Sequence, residues 1–196
     1  MDRDYDALPI RELGVDAGFR RPTQPQASRV DVESPALQVM TDLSRVSSAT
    51  IRPQAPLAGA NQFMIARGVR LLLVIDERET VVGVITATDI LGERPMVVAT
   101  GRGLRRDELT VADVMPPAEQ VEVIAYADVQ GARVGHLLET LRRAGRQHAL
   151  VVDFEAKRTM VRGIISLSQM ARQLGIVLPA GGEVARTFSE IEAAIK

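Results

Sequence analysis

The sequence contains no cysteine and no tryptophan, and only two tyrosines and four phenylalanines among its 196 residues. Without cysteine there are no disulfide staples, no thiolate metal ligands and no thiol nucleophile, a pattern that fits a cytoplasmic protein. With aromatics at 3%, the core must be aliphatic, and little is left for the stacking platforms that hold single-stranded nucleic acid. Excess charge of either sign is also missing: 24 basic residues face 25 acidic ones. No global positive field draws in a polyanion, which argues against nucleic acid as a partner. Long apolar runs are absent too. The longest aliphatic stretch, LLLVI at 71–75, is far too short to cross a bilayer, and the acidic opening MDRDYDALPI lacks the apolar region of a secretory signal.

What remains is a globular balance, 46% hydrophobic and 25% charged, in a chain long enough for one ordinary domain or two small ones sharing a core. Residues 1–33 mix charges of both signs with Pro22 and Pro25 and show no sustained period, which predicts a mobile arm. Ser34-Pro35 reads as an N-cap with proline at the first helical position, opening a short helix through ALQVM. A short strand around Ala49–Ile51 follows. A helix from about Pro56 to Arg67 carries Leu57, Ala60, Met64 and Ile65 at helical spacing and stops at Gly68. Then come a buried strand, RLLLVID, a charged turn, the strand VVGVIT, and a helix starting near Ala87.

The second half repeats this order. VEVIAYA, ARVGHLLETLRRAG, HALVVD, MVRGIIS and SQMARQLG supply strand, helix, strand, strand and helix. Leu57, Met64, Gly68 and Asp76 pair at one constant offset with Val134, Leu141, Gly145 and Asp153. After a three-residue insertion in the hairpin turn, Gly83, Ile85 and Thr86 pair with Gly163, Ile165 and Ser166. The segments ahead of each unit also agree, QVMTDL with DVMPPA. Units of about 60 residues bury too little apolar surface alone, so the two are expected to pack face to face.

Each unit turns from strand to helix through a hydroxyl: GVITATDI at 83–90 and GIISLSQM at 163–170. Thr86 with Asp89, and Ser166 with Gln169, both fit a capping box, in which a hydroxyl caps the helix and a residue three positions on reaches back. The same corner also suits a sugar or phosphate, because free N–H groups and short polar side chains converge there. A carboxylate accepts from both hydroxyls of a vicinal diol, whereas an amide offers one acceptor oxygen; Asp89 suits a ribose and Gln169 does so poorly. Both readings stand on the residues alone.

With these features the two units resemble cystathionine β-synthase (CBS) domain repeats, whose signature is glycine, two apolar residues, Thr or Ser, two variable residues, then Asp or Asn. GVITATD fits in full; GIISLSQ departs at Gln169. The resemblance covers about residues 35–175 and implies an α/β fold in which two strand-helix-strand-strand-helix repeats pack sheet to sheet as a pseudo-symmetric pair with two clefts. It implies 1–33 as the arm, 34–99 as the first repeat with its leading helix, 100–109 as linker, 110–176 as the second repeat and 177–196 as a helical tail. In the first cleft Thr86 would contact phosphate or ribose and Asp89 the ribose diol, with Thr50, Ile51, Val69, Arg70 and Leu71 flanking the base. Ser166, Gln169 and His148 would belong to a second cleft that is weaker, empty or adapted to another ligand. The implied function is regulatory: sensing of AMP, ADP, ATP or S-adenosylmethionine by a homodimer that needs no cofactor and acts on a separate protein. The competing expectation is a structural interaction module whose corners serve only as caps.

The other candidates carry less. His136 and His148 are the only histidines, and His136 has no HExxH or cysteine cluster around it. The stretch TGRGLRR lacks the third glycine of a dinucleotide fingerprint, and its Arg102, Arg105 and Arg106 read as a solvated basic loop. No nucleophile has a plausible base, so no enzyme activity is expected. In the tail, Val184, Phe188, Ile191 and Ile195 form one helical stripe that needs a surface to cover, on this chain's own domain, across a dimer, or on another protein.

Overall fold

The computed structural model describes residues 29–155, 158–177 and 184–195. The expected mobile arm falls largely on residues 1–28, outside the described ones. Its last part is docked: the Val30 N–H donates to the Gln173 carbonyl at 3.0 Å, and the Val32 carbonyl accepts from Gly135 at 2.9 Å. The predicted opening helix is a four-residue 3-10 turn, Ala36–Val39, because Met40 already belongs to β1 (Met40–Asp42). Ser34 does not cap it. Its hydroxyl accepts from the Asp31 N–H at 3.0 Å and donates to Asp31 Oδ1 at 2.9 Å, closing the turn before.

The first repeat runs β2 (Thr50–Ile51), α1 (Leu57–Arg67), β3 (Leu71–Ile75), β4 (Val81–Thr86) and α2 (Ala87–Leu91), the expected order. Helix α1 buries Leu57, Ala60 and Met64 and ends where Gly68 takes the left-handed conformation, φ 65° and ψ 28°. Ile65, expected on the same stripe, is 72% exposed. One residue on from Met64, it is turned by about 100° around the helix and leaves the buried face.

An additional helix, α3 (Arg94–Arg102), ends the expected first repeat and runs into the first residues of the expected linker; it buries Pro95 and Ala99. Pro95 sits in its first turn, where a missing N–H costs nothing. The basic cluster is committed locally: Arg102 pairs with Asp113, Arg105 with Asp107, and Arg106 donates to the Ile90 carbonyl at 3.0 Å. After α4 (Val111–Val114) the second repeat runs β5 (Val123–Ala125), α5 (Tyr126–Gly131), α6 (Val134–Ala144), β6 (His148–Glu155), β7 (Arg158–Ser166) and α7 (Leu167–Gln173). The predicted strand VEVIAYA is cut short because α5 begins at Tyr126.

Two sheets form, β2-β3-β4 and β1-β7-β6-β5. They face each other across Leu71, Leu73, Val84 and Leu150. Leu72, Val74 and Ile85 point the other way, into the helix-covered core of the first repeat; Val151 and Ile165 do the same in the second. Period-two alternation thus explains why LLLVI is apolar throughout: both faces of β3 are covered.

The repeats exchange their leading segments. β1, which precedes the first repeat, pairs antiparallel with β7 of the second, Asp42 opposite Gly163. The matching segment before the second repeat runs along β4: Pro117 bridges Gly83, and the Val84 N–H donates to the Pro116 carbonyl at 3.3 Å. Pro116 and Pro117 have no N–H to donate, so this contact stays a single bridge, whereas Thr41 and Asp42 extend the other sheet by a strand. The signature glycines make room for the exchange. A Cβ on Gly83 would stand 2.6 Å from the Pro116 oxygen and 2.9 Å from Met115 Sδ; one on Gly163 would stand 2.5 Å from Met40 Sδ.

The tail helix α8 (Val184–Ile195) docks on the chain itself: Phe188 and Ile191 are buried in the core of the second repeat. The side chains of Val184 and Ile195 lie outside the described residues. Among the described residues no helix is long and apolar enough to cross a membrane.

Candidate functional site

Strand β4 ends at Thr86, whose extended backbone hands the chain to α2. The Thr86 hydroxyl accepts from the Asp89 N–H at 3.2 Å, and Asp89 Oδ2 accepts from the Thr86 N–H at 2.8 Å and the Thr86 hydroxyl at 2.6 Å. This is a complete capping box. All of its bonds to the carboxylate use Oδ2; Oδ1 accepts none among the described residues. Both side chains are only partly buried.

The corner opens on a cleft of about 190 Å³ between the two repeats. The first repeat contributes Leu71, Val84, Thr86 and Asp89; the second contributes Arg146, Gln147, His148 and Leu150. Pro116, Val121 and Glu122, from the exchanged leading segment, complete it. The lining is therefore aliphatic between two polar groups of opposite character. Asp89 only accepts hydrogen bonds, whereas Arg146 only donates them and Gln147 and His148 can do both.

His148 opens β6, and burial, then the charge of Arg70, pushes its pKa down to about 4, with Asp89 pulling the other way. The imidazole is neutral near pH 7 and offers one N–H donor and one acceptor. Arg146 Nε lies 3.1 Å from Glu122 Oε2, an exposed pair inside the lining.

Of the residues singled out in the sequence, Leu71, Thr86, Asp89 and His148 meet in this cleft. Thr50 pairs with Leu73 in the sheet, and Ile51 and Val69 pack on the first repeat's core. Arg70 is exposed and outside the lining, although its charge reaches His148. His148, assigned from sequence to the second cleft, lines this one. Its partner by repeat register is Leu71, and the paired sheets bring the starts of β3 and β6 to the same cleft.

The second corner differs. Ser166 makes no capping bond, so the capping-box expectation holds at the first corner alone. Gln169 instead holds the exchanged strand: its Oε1 accepts from the Thr41 hydroxyl at 3.0 Å and its Nε2 donates to Gln173 at 3.4 Å. Gln173 in turn donates to the Gln38 carbonyl at 2.9 Å. Neither Ser166 nor Gln169 lines the cleft of Asp89.

Sequence reasoning missed Arg146 and Gln147, although constant register places Gln147 at the position of Arg70 and marks that strand start. Pro116 and Glu122 carry no local signal, because only the exchange of leading segments brings them here. His136 is accounted for by helix geometry: its Nδ1 accepts from the Arg133 N–H at 3.0 Å at the start of α6. Among the described residues no group of His, Cys, Asp and Glu could hold a metal ion.

Residues 36–95 match the family model described as CBS domain. No curated protein is significantly similar in sequence. Among solved structures, a conserved protein from Pyrococcus horikoshii is 22% identical, with a TM-score of 0.55, covering 78% of this chain and all (100%) of that one. CBSX2 of Arabidopsis thaliana, solved in complex with AMP, is 20% identical with a TM-score of 0.50 over 71% of this chain and 94% of that one. A CBS-domain protein from Agrobacterium tumefaciens is 20% identical with a TM-score of 0.50 over 76% and 96%. Residues 36–95 are thus similar to a CBS domain, and the chain shares its two-repeat fold with these CBS-pair structures.

Proposed function

We propose that this chain is a regulatory module that binds an adenine nucleotide such as AMP in the cleft of Thr86, Asp89 and His148. The observation that carries the reading is the position of Asp89: it lines the cleft with one carboxylate oxygen uncommitted. An ionised carboxylate has about four acceptor sites, and the cap uses two of them, so a ribose diol can be gripped without undoing the helix start. Leu71, Val84, Val121 and Leu150 supply apolar surface for a base. CBSX2, which shares the fold, was solved with AMP.

The module acts by favouring one of two arrangements when occupied, since a ligand shifts an equilibrium only through differential affinity. Pro116, Val121 and Glu122 belong to the segment that joins the repeats, so an occupant touches the connection as well as both halves. We further propose a cytoplasmic homodimer acting on a separate protein, without a required cofactor.

Calorimetric titration with AMP, ADP, ATP and S-adenosylmethionine tests this, with Asp89→Asn as the variant. Binding that is weakened at least tenfold by Asp89→Asn supports the reading. No binding of any of the four, or binding indifferent to Asp89, overturns it. The complete capping box favours one rival, a structural module with unfilled clefts. In that case Asp89 variants change stability and nothing else.

A further inference from the structure

Resting on that reading, we propose that the Arg146–Glu122 pair is a phosphate gate: Arg146 receives the anionic group of the nucleotide, and Glu122 occupies Arg146 until the ligand displaces it. Both residues line the cleft, and their contact is a single 3.1 Å approach between Arg146 Nε and Glu122 Oε2. Their side chains are 45% and 73% exposed, so the pair is weakly held and cheap to open.

The polarity of the cleft sets the direction of the ligand. Asp89, on the first repeat, takes hydroxyls and repels anions. Arg146 and the Gln147 and His148 side chains, on the second, present the donors. A nucleoside whose diol lies at Asp89 directs a phosphate away from that carboxylate and towards Arg146, whose planar guanidinium suits phosphate oxygens in pairs. Arg102 is committed to Asp113, Arg105 to Asp107 and Arg106 to the Ile90 carbonyl, and Arg70, whose charge reaches His148, stands outside the lining, so Arg146 is the arginine in the cleft wall. The ligand class is accordingly a phosphate-bearing nucleotide rather than a neutral nucleoside.

The gate also has a mechanical side. Arg146 follows Gly145 at the end of α6, whereas Glu122 stands on the segment that leaves the first repeat's sheet at Pro117 and enters β5. Displacing Glu122 removes a side-chain tie between the end of the joining segment and the turn after α6, while β5 stays paired with β6, which gives occupancy a local structural readout.

The test is calorimetric titration of AMP and of adenosine into the wild-type protein, Glu122→Gln and Arg146→Gln, with thermal melts to verify folding. Wild-type protein is expected to prefer AMP. Glu122→Gln should tighten AMP roughly threefold, the scale of an exposed ion pair, and leave adenosine unchanged. Arg146→Gln should lower AMP affinity by about tenfold, towards that of adenosine. An AMP-to-adenosine ratio that is equal in all three proteins overturns the gate and leaves the cleft reading standing. Failure of both ligands to bind any of the three overturns the cleft reading and the gate together.

Discussion

Gly83 and Pro116 approach so closely that a Cβ on the glycine would fall 2.6 Å from the proline's carbonyl oxygen. The first glycine of the repeated phrase is thus a contact surface for the other repeat's leading segment. Its lack of a side chain matters more than its backbone freedom.

Gly83→Ala should therefore cost about 1–3 kcal/mol, the usual range for overpacking, since the obstructing atom is backbone and cannot swing aside. Gly163→Ala should cost less. There the nearest obstruction is the Met40 side chain, Sδ at 2.5 Å and Cγ at 2.7 Å, which can turn about its torsions as a backbone oxygen cannot, although its burial and the Thr41 oxygen at 3.1 Å keep the change from being free. Urea denaturation of the two variants would rank them; equal stability losses would contradict the asymmetry.

Thr86→Ala should lower stability by about 1 kcal/mol through loss of the cap. Asp89→Asn keeps one acceptor oxygen for the Thr86 N–H and should cost less than that. Combined with titration, the pair separates capping from binding: Asp89→Asn is expected to damage AMP affinity far more than it damages the melting temperature.

Gln169 is predicted to serve the exchanged strand and not a ligand. A double-mutant cycle between Thr41→Val and Gln169→Ala should return a coupling of about 1 kcal/mol, the net worth of one hydrogen bond. Gln169→Asp restores the family signature on paper, yet it removes the donor to Gln173 and is expected to weaken the fold without creating a second nucleotide site.

Two pH windows follow from His148 and Asp42. The folded His148 titrates near 4 instead of 6.5, so below 6.5 the unfolded chain takes up a proton that the folded one refuses. That contribution to stability is complete above pH 6.5 and is lost as pH falls towards 4, at a slope of up to about 1.4 kcal/mol per pH unit. The Ser44 hydroxyl, then Arg162, then the Ser44 N–H hold Asp42 down at about 2 instead of 3.8, so its contribution is complete above 3.8 and disappears as pH falls towards 2. Thermal melts across pH should show both steps. His148→Gln should erase the upper one and leave the lower; an unchanged profile would contradict the desolvation of the His148 imidazole in the cleft wall.

Much of the fold is legible in the sequence because it is written locally. Gly68 and Gly145 end their helices with left-handed turns, and LLLVI and HALVV declare strands covered on both faces. Helix α3 is hidden because Pro95 and three glycines between 92 and 103 imitate a loop, though proline is harmless in a first turn. The exchange of leading segments has no local signature at all; the similarity of QVMTDL and DVMPPA hints at an equivalent role without saying which partner each meets. The same gap misplaces His148, whose neighbours are decided by how the two sheets face each other. At the second corner, Ser166 and Gln169 satisfy the pattern of a cap, but the long-range pull of Thr41 takes the amide elsewhere.

The tail helix covers part of the second repeat's core with Phe188 and Ile191, the former only 7% exposed. Phe188→Ala should therefore destabilise by about 3–5 kcal/mol, measurable by chemical denaturation, whereas an exposed partner-binding phenylalanine would leave stability nearly untouched.

Because β1 completes the sheet of one repeat and Pro116–Pro117 edges that of the other, a gene cut midway does not yield two half-proteins. Each fragment would carry an edge belonging to its absent sibling and lack its own. The halves are expected to melt in one transition, and any rearranged tandem must keep the crossover to remain intact.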